Sequence, residues 1–361
     1  MTSRSAAVIA ASILVFALHP YSRAEEKPPA QQQPSARQNT ENDYSNETGI
    51  LASTDVFAAR GEDLSDEFEM FSSLPDFYLT QKNVDALKDY RVIFVPGLLS
   101  DFHKTIVIYG REIRRGTYFL DHKRWLDSQG IEYSVAPISS QATPEENAVA
   151  VSSAVTASDK PVIIIAHSKG GIDSLEALAG DPKLRGKVAA FIALQTPFLG
   201  SPVADWFATS PARESIARWL LNVTGGTKKT LISLTTPHRR LWYLRHREAI
   251  AQLAQGTKIF CVATWKEPEH GNGLDTKFSI PRDMMIKNGF PQNDGLVPVQ
   301  SAILPEADFV VLAQADHQVT VMDSGMRPFD RTDFMKALML LTLERLGRFT
   351  APEAPAALSD F

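Results

Sequence analysis

Short unbroken runs of apolar and β-branched residues recur along the middle of the chain: "RVIFV" (91–95), "EYSVAPI" (132–138), "PVIIIA" (161–166), "VAAFIAL" (188–194), "KIFCVAT" (258–264) and "FVVLAQ" (309–314). Runs of this kind suit strands covered on both faces, as in a parallel sheet. Between most of them the apolar positions switch to helical spacing. One such stretch begins at Thr143, with Pro144 at the first helical position and Glu146 set to close a capping box; Ala148, Val151 and Val155 then share a face. Another follows the 161–166 strand, with Ile172, Leu175 and Leu178 in register and Gly180 as the stop. Alternation of strand and helix predicts a doubly wound α/β sheet over residues 90–350.

Two stretches break the alternation. The segment joining the 188–194 and 258–264 strands is longer than a crossover needs, and an insertion of about 203–256 is expected there. Within it Ser210 and Pro211 start a helix on which Ile216, Trp219, Leu220 and Val223 share a face, stopped by Gly225 and Gly226, and a second piece carries Leu241, Trp242 and Leu244. These pieces fit either packed cap helices or a lid with an apolar underside. The second stretch is 266–292, with His270, Gly271, Gly273 and Pro281, a long loop placed to shape specificity.

The N-terminal pattern differs from all of this. Arg4, the apolar run 6–18 and the small residues around Ala24 predict an export signal over 1–24, cleaved near Ala24, since the run is shorter than the roughly 20 residues a membrane span needs. Residues 25–50, rich in Pro, Gln and Asn, predict a disordered linker. Residues 51–89 mix acidic and aromatic positions without a clear period, an extension whose role the pattern leaves open, and 351–361 read as a flexible tail. The expected location is therefore the periplasm or the exterior.

Composition adds little. Charged residues make up 22% and the net charge is -5, spread over both signs, which gives no reason to expect a nucleic-acid partner. The single cysteine, Cys261, has no internal disulfide partner and sits inside a strand pattern, so an inert buried thiol is expected.

The candidate chemistry sits where the 161–166 strand runs into "HSKGG". A strand followed at once by small-x-Ser-x-Gly and a helix makes a sharp turn with the serine hydroxyl exposed above the sheet, which makes Ser168 the candidate nucleophile. A serine needs a base and the base needs an orienting acid. "NDGLVPVQS" offers Asp294 and "VVLAQADHQVT" offers His317, in the order Ser, Asp, His. Asp316 is a weaker orienting acid, because neighbouring side chains diverge. His238, His246 and His270 fall in cap or loop segments, His103 lies near the first loop, and His167 points away from the hydroxyl and is expected to brace the turn. The negative oxygen of a tetrahedral intermediate would meet the backbone N–H of Lys169 and, in "FVPGLLSD", that of Leu98, which Gly97 turns inward. With only its backbone in use, the side chain at 169 is expected to be free to vary.

Through "FVPGLL", "AHSKGG", "LQTPFLGSPVAD" (194–205), "NDGLVPVQS" and "ADHQV", the region from about 90 to 320 resembles bacterial triacylglycerol lipases and their esterase relatives in the α/β-hydrolase superfamily. The resemblance implies a mostly parallel central sheet flanked by helices, a helical cap, and ester hydrolysis through an acyl-enzyme with Ser168, Asp294 and His317 matching the triad. A hydrophobic ester or lipid is the implied substrate, met by Leu99, Phe198, Trp206 and Trp219, with transient contact to a lipid interface through the cap. Phospholipase, polyester-cleaving and acyltransferase chemistry fit the same residues, and a non-catalytic binding protein is the alternative from another class. No cofactor is implied. The chain departs from the pattern at Pro96, where a histidine usually precedes the oxyanion-loop glycine, and at Gln318 and Val319, where calcium-binding relatives usually carry an Asp, so no metal is carried over.

Overall fold

Every residue from Val162 to His167 is buried, as a strand with helices on both faces must be. The computed structural model describes residues 55–75, 79–98, 106–108, 111–113, 118–209, 227–268, 278–323 and 329–352. The expected signal and linker, Leu99, His103, the helix from Ser210 with Trp219, His270 and most of the tail lie outside them.

After a 3-10 turn at Asp55–Phe57 come α1 (Ser65–Ser73), α2 (Gln81–Lys88), β1 (Arg91–Val95), β2 (Ile106–Ile108), β3 (Arg111–Ile113), α3 (Leu120–Gln129), β4 (Tyr133–Val135), α4 (Pro144–Thr156), β5 (Val162–His167), α5 (Lys169–Gly180), α6 (Pro182–Arg185) and β6 (Val188–Leu194). The second half carries α7 (Pro202–Thr209), α8 (Lys228–Ile232), α9 (Thr236–Gly256), β7 (Lys258–Trp265), α10 (Ser279–Lys287), α11 (Val299–Ala302), β8 (Asp308–Ala313) and α12 (Arg331–Arg345). The strands expected from the apolar runs form one sheet in the order β4-β1-β5-β6-β7-β8, with every neighbouring pair parallel. β2 and β3 pair separately as an antiparallel hairpin.

From β1 the chain goes to one side for β4 and then returns to the other for β5, so the strand order reverses between β1 and β5. The crevice beyond the carboxyl ends at such a reversal is where open α/β sheets place their sites. Val95 lies beside Ala166 in register, which brings the loops after β1 and β5 together at that point.

Alternate strand residues divide the core into two layers. Val92, Phe94, Ile163, Ile165, Ile192 and Val262 face α3 and α12, while Ile93, Val95, Ile164, Ala166, Ala193 and Cys261 face α4, α5 and α9. Cys261 is fully buried, and burial pushes its thiol up to about 12. The Thr143 capping box forms as expected: Thr143 Oγ1 accepts from the Glu146 N–H, and the Glu146 carboxylate accepts from the Thr143 N–H.

Two segments differ from, or add to, the sequence pattern. From Thr236 onward the region expected as cap is α9, whose Trp242, Tyr243, Ile250 and Leu253 pack into the core beside β6 and β7; it is the crossover helix between those strands. The 55–89 extension wraps the β8 edge. Phe57 joins one core layer; Glu62 and Leu64 then pair through their backbone with Phe309 of β8; Leu64, Phe68 and Phe71 join the other layer. An unpaired parallel edge invites association with other strands, and this strap covers part of it. Among the described residues no helix is long and apolar enough to cross a membrane.

Candidate active site

β5 delivers the chain into a turn that only a few contacts make tolerable. Ser168 has φ 54° and ψ -127°, a conformation costing on the order of 1–3 kcal/mol for a residue with a side chain. The Ser168 N–H donates to the Leu194 carbonyl at 2.8 Å and its own carbonyl accepts from Gly171 N–H at 3.0 Å, which pins both sides of the turn. Two residues on, α5 crosses the end of β1 so closely that a Cβ on Gly170 would stand 2.4 Å from the carbonyl oxygens of Val95 and Pro96. Glycine is required there, as the motif predicts.

The three sequence-predicted side chains meet. Ser168 Oγ lies 2.9 Å from His317 Nε2, and His317 Nδ1 lies 2.8 Å from Asp294 Oδ2. A carboxylate only accepts, so Nδ1 carries the ring proton and Nε2 offers its lone pair to the serine hydroxyl. The other oxygen, Asp294 Oδ1, accepts the N–H groups of Leu296 and Val297 at 2.9 and 2.7 Å, which fixes the carboxylate plane. Asp294 and His317 are almost wholly buried, whereas Ser168 keeps partial exposure.

The expected competitors are elsewhere. The Asp316 carboxylate caps its own turn by accepting from the N–H groups of Gln318 and Val319. His246 stacks on Trp242 and bonds to its carbonyl, and His238 is half-buried on α9, where desolvation lowers its pKa. His167 does brace the turn: Nδ1 meets the Tyr118 hydroxyl and Nε2 the His317 carbonyl, each at 2.8 Å. Complete burial, aided by the nearby His317, holds His167 well below its ordinary value.

Around the hydroxyl, Lys169 opens α5, so its N–H belongs to the first helical turn, which lacks intrahelical partners. A Cβ on Gly97 would stand 3.0 Å from Ser168 Cβ, which places the loop after β1 directly against the candidate nucleophile. Leu98 is half-buried and packs with Phe207 against Ile172, Ala204, Leu231 and Leu234, an apolar wall beside the elbow. Trp206 is half-buried beside Phe207. Phe198, expected to meet substrate, is instead 1% exposed and edge-on to Phe191 of β6: the turn after β6 folds its ring back into the core.

The structure also corrects the expectation for the Lys169 side chain. It is 1% exposed, and its Nζ donates to both Asp173 oxygens at 2.7 and 2.9 Å, while Asn147 of α4 donates to Asp173 Oδ2 at 2.7 Å. Burial pushes the Asp173 carboxyl up to about 6 against the pull of the lysine. The i,i+4 spacing of Lys169 and Asp173 was visible in sequence; their burial under α4 was not. Phe278 was also missed, lying edge-on to the His317 ring at 6.1 Å. Tyr118 had no local signal at all. Among the described residues no group of three or more His, Cys, Asp or Glu could hold a metal ion.

No family model and no curated protein matches the chain by sequence. Solved structures do match by shape. A metagenomic carboxyl esterase superposes with a TM-score of 0.61 over 84% of this chain and 98% of its own, at 18% identity. The mature lipase BlEst2 of Bacillus licheniformis superposes with a TM-score of 0.51 over 72% of this chain and 92% of its own, at 20% identity. Its propeptide form gives 0.50 over 74% of this chain and 52% of its own, at 21% identity. The chain thus has the α/β-hydrolase fold, similar to that of carboxyl esterases and lipases.

Proposed function

We propose that the protein is a serine carboxylester hydrolase acting on hydrophobic acyl esters. The observation that carries the reading is the continuous Ser168–His317–Asp294 hydrogen-bond chain at the strand-order reversal. In this reading Ser168 Oγ attacks the acyl carbon as its proton passes to His317 Nε2, and Asp294 steadies the imidazolium. The carbonyl oxygen, now negative, is held by the N–H groups of Lys169 and Leu98. Collapse expels the alcohol, protonated by His317, and leaves the acyl group on Ser168. Water then repeats the sequence to release the acid.

The apolar wall of Leu98, Phe207, Leu231 and Leu234 supports a hydrophobic acyl group. That the solved structures of similar fold include a carboxyl esterase and a lipase agrees with ester hydrolysis. In this reading residues 1–24 direct export, the enzyme works in the periplasm or outside the cell, and the insertion after β6 touches lipid interfaces transiently.

The test uses the intact protein, a short p-nitrophenyl ester and a fluorophosphonate probe. Ser168→Ala should lower kcat by about 10⁴- to 10⁶-fold and abolish labelling. A variant that hydrolyses the ester at the parent rate, or a parent that fails to label, would overturn the reading.

A further inference from the structure

Behind the catalytic groups runs a hydrogen-bond chain whose direction is fixed at every link. The His317 carbonyl can only accept, so the His167 nitrogen 2.8 Å from it, Nε2, must carry the ring proton. His167 Nδ1 is then a bare lone pair, and the Tyr118 hydroxyl at 2.8 Å must donate to it. The Tyr118 oxygen also lies against the loop after β1, where a Cβ on Gly97 would stand 3.0 Å from it. The chain of hydrogen bonds therefore runs from Tyr118, packed on the loop after β1, through His167 to the backbone of the residue that carries the base. All of it is buried, Tyr118 at 6% exposure and His167 at 0%.

The histidine loop is held at a second point as well. Gln195, beside His167 at the end of β6, donates to the Asp316 carbonyl at 2.7 Å and accepts from the Thr320 hydroxyl at 2.6 Å. Gln195 thus fixes where the loop sits, and among the described residues it makes no bond to the loop after β1. The Tyr118 hydroxyl does reach that loop, packing against Gly97.

We propose that Tyr118 is a positioning residue that holds the oxyanion loop and the histidine loop in register with Ser168 through one shared hydroxyl. This rests on the ester-hydrolase reading for its kinetic consequences. Removing the hydroxyl leaves the buried His167 Nδ1 lone pair without its donor and takes away the contact that holds Gly97 against it. His167 and the loop after β1 are then less firmly held, and with them the His317 carbonyl and the oxyanion donor.

Tyr118→Phe keeps the ring and deletes only that hydroxyl. On a short p-nitrophenyl ester kcat should fall by about 10- to 100-fold, below the 10²- to 10³-fold loss of an oxyanion donor because donor and base are displaced, not deleted. KM should stay within about twofold, since no substrate contact is removed. His167→Asn should show a similar loss, and the double variant should lose no more than the worse single, because all three cut one chain. Unchanged kcat in Tyr118→Phe, or losses that multiply, would overturn the proposal.

Should the variants fail to fold, the wild-type protein still decides. ¹⁵N NMR of histidine-labelled enzyme should find His167 neutral with its proton on Nε2; a proton on Nδ1 sinks the chain as drawn. That measurement stands whether or not the protein hydrolyses esters, while failed fluorophosphonate labelling of the parent counts against the ester reading alone.

Discussion

The first turn of α5 and the inner side of α3 both bury polar side chains, one on each face of the sheet, and they do so in opposite ways. At α5, Lys169, Asp173 and Asn147 complete one another, with Asn147 also bonded twice to the backbone of Ser139. At α3, His122 is 0% exposed, edge-on to Phe94, Phe119 and Phe334, and neither of its ring nitrogens has a hydrogen-bond partner among the described residues. The difference follows from what each must satisfy. A lysine in the first turn of a helix opposes the helix dipole and, once buried, has to be neutralised one turn later. A neutral imidazole costs only its lost bonds to water.

The largest test of that contrast is Asp173→Ala. It leaves the Lys169 ammonium buried without its partner, and breaking such a pair costs about 3–5 kcal/mol. Urea unfolding should show a loss of that size. The double replacement Lys169→Met with Asp173→Leu should recover most of it, because an apolar pair of similar volume has no charge to desolvate. A single variant within about 1 kcal/mol of the parent would mean the pair is not buried as a unit.

His122→Leu should act with the opposite sign. Two orphaned ring nitrogens disappear, for a gain of about 1–3 kcal/mol at neutral pH. The acid limb changes too. Burial, with Arg331 nearby, lowers the His122 pKa to about 3 from an ordinary 6.5, so below pH 6.5 the unfolded chain takes up a proton that the folded chain refuses. Stability therefore falls as pH drops through that window, by about 1.4 kcal/mol per pH unit, and is untouched above it. Between pH 7 and pH 5 the advantage of the leucine variant should widen by about 2 kcal/mol. Parallel unfolding curves for the two proteins over that range would show that His122 finds a proton acceptor after all.

The contrast also marks what the sequence could disclose. The strands were legible because a parallel strand must be apolar on both faces, and 162–167 has no polar position until His167. The elbow and the Ser168, Asp294 and His317 set were legible because the turn demands Gly170 and because the three residues follow β5, β7 and β8 in that order. Tyr118 was not, since the residues it meets, Gly97 and His167, come from two other strand ends and no spacing connects them. Phe198 misled because an aromatic in a strand-to-helix turn reads the same whether its ring turns outward or, as here, back onto Phe191. The 55–89 extension had no period because it serves two faces in turn, Phe57 on one and Phe68 and Phe71 on the other.

That extension supplies the third and smallest test, a charge placed between water and protein. Arg60 bonds to Tyr243 of α9 and to Glu306 just before β8, which ties the strap down across the sheet edge. Its side chain is 51% exposed, so water already solvates much of the guanidinium and salt screens the pair. Arg60→Ala should therefore cost only about 0.2–1 kcal/mol, shrinking further in high salt, with ester hydrolysis unchanged. The strap would stay in place because the backbone pairing of Glu62 and Leu64 with Phe309, and the buried rings of Phe57, Phe68 and Phe71, do most of the holding. Set beside Asp173→Ala, the same loss of one ion pair would then differ several-fold in cost, with burial as the variable that changed. A loss at Arg60 as large as that at Asp173 would reverse the inference and make the strap's attachment electrostatic.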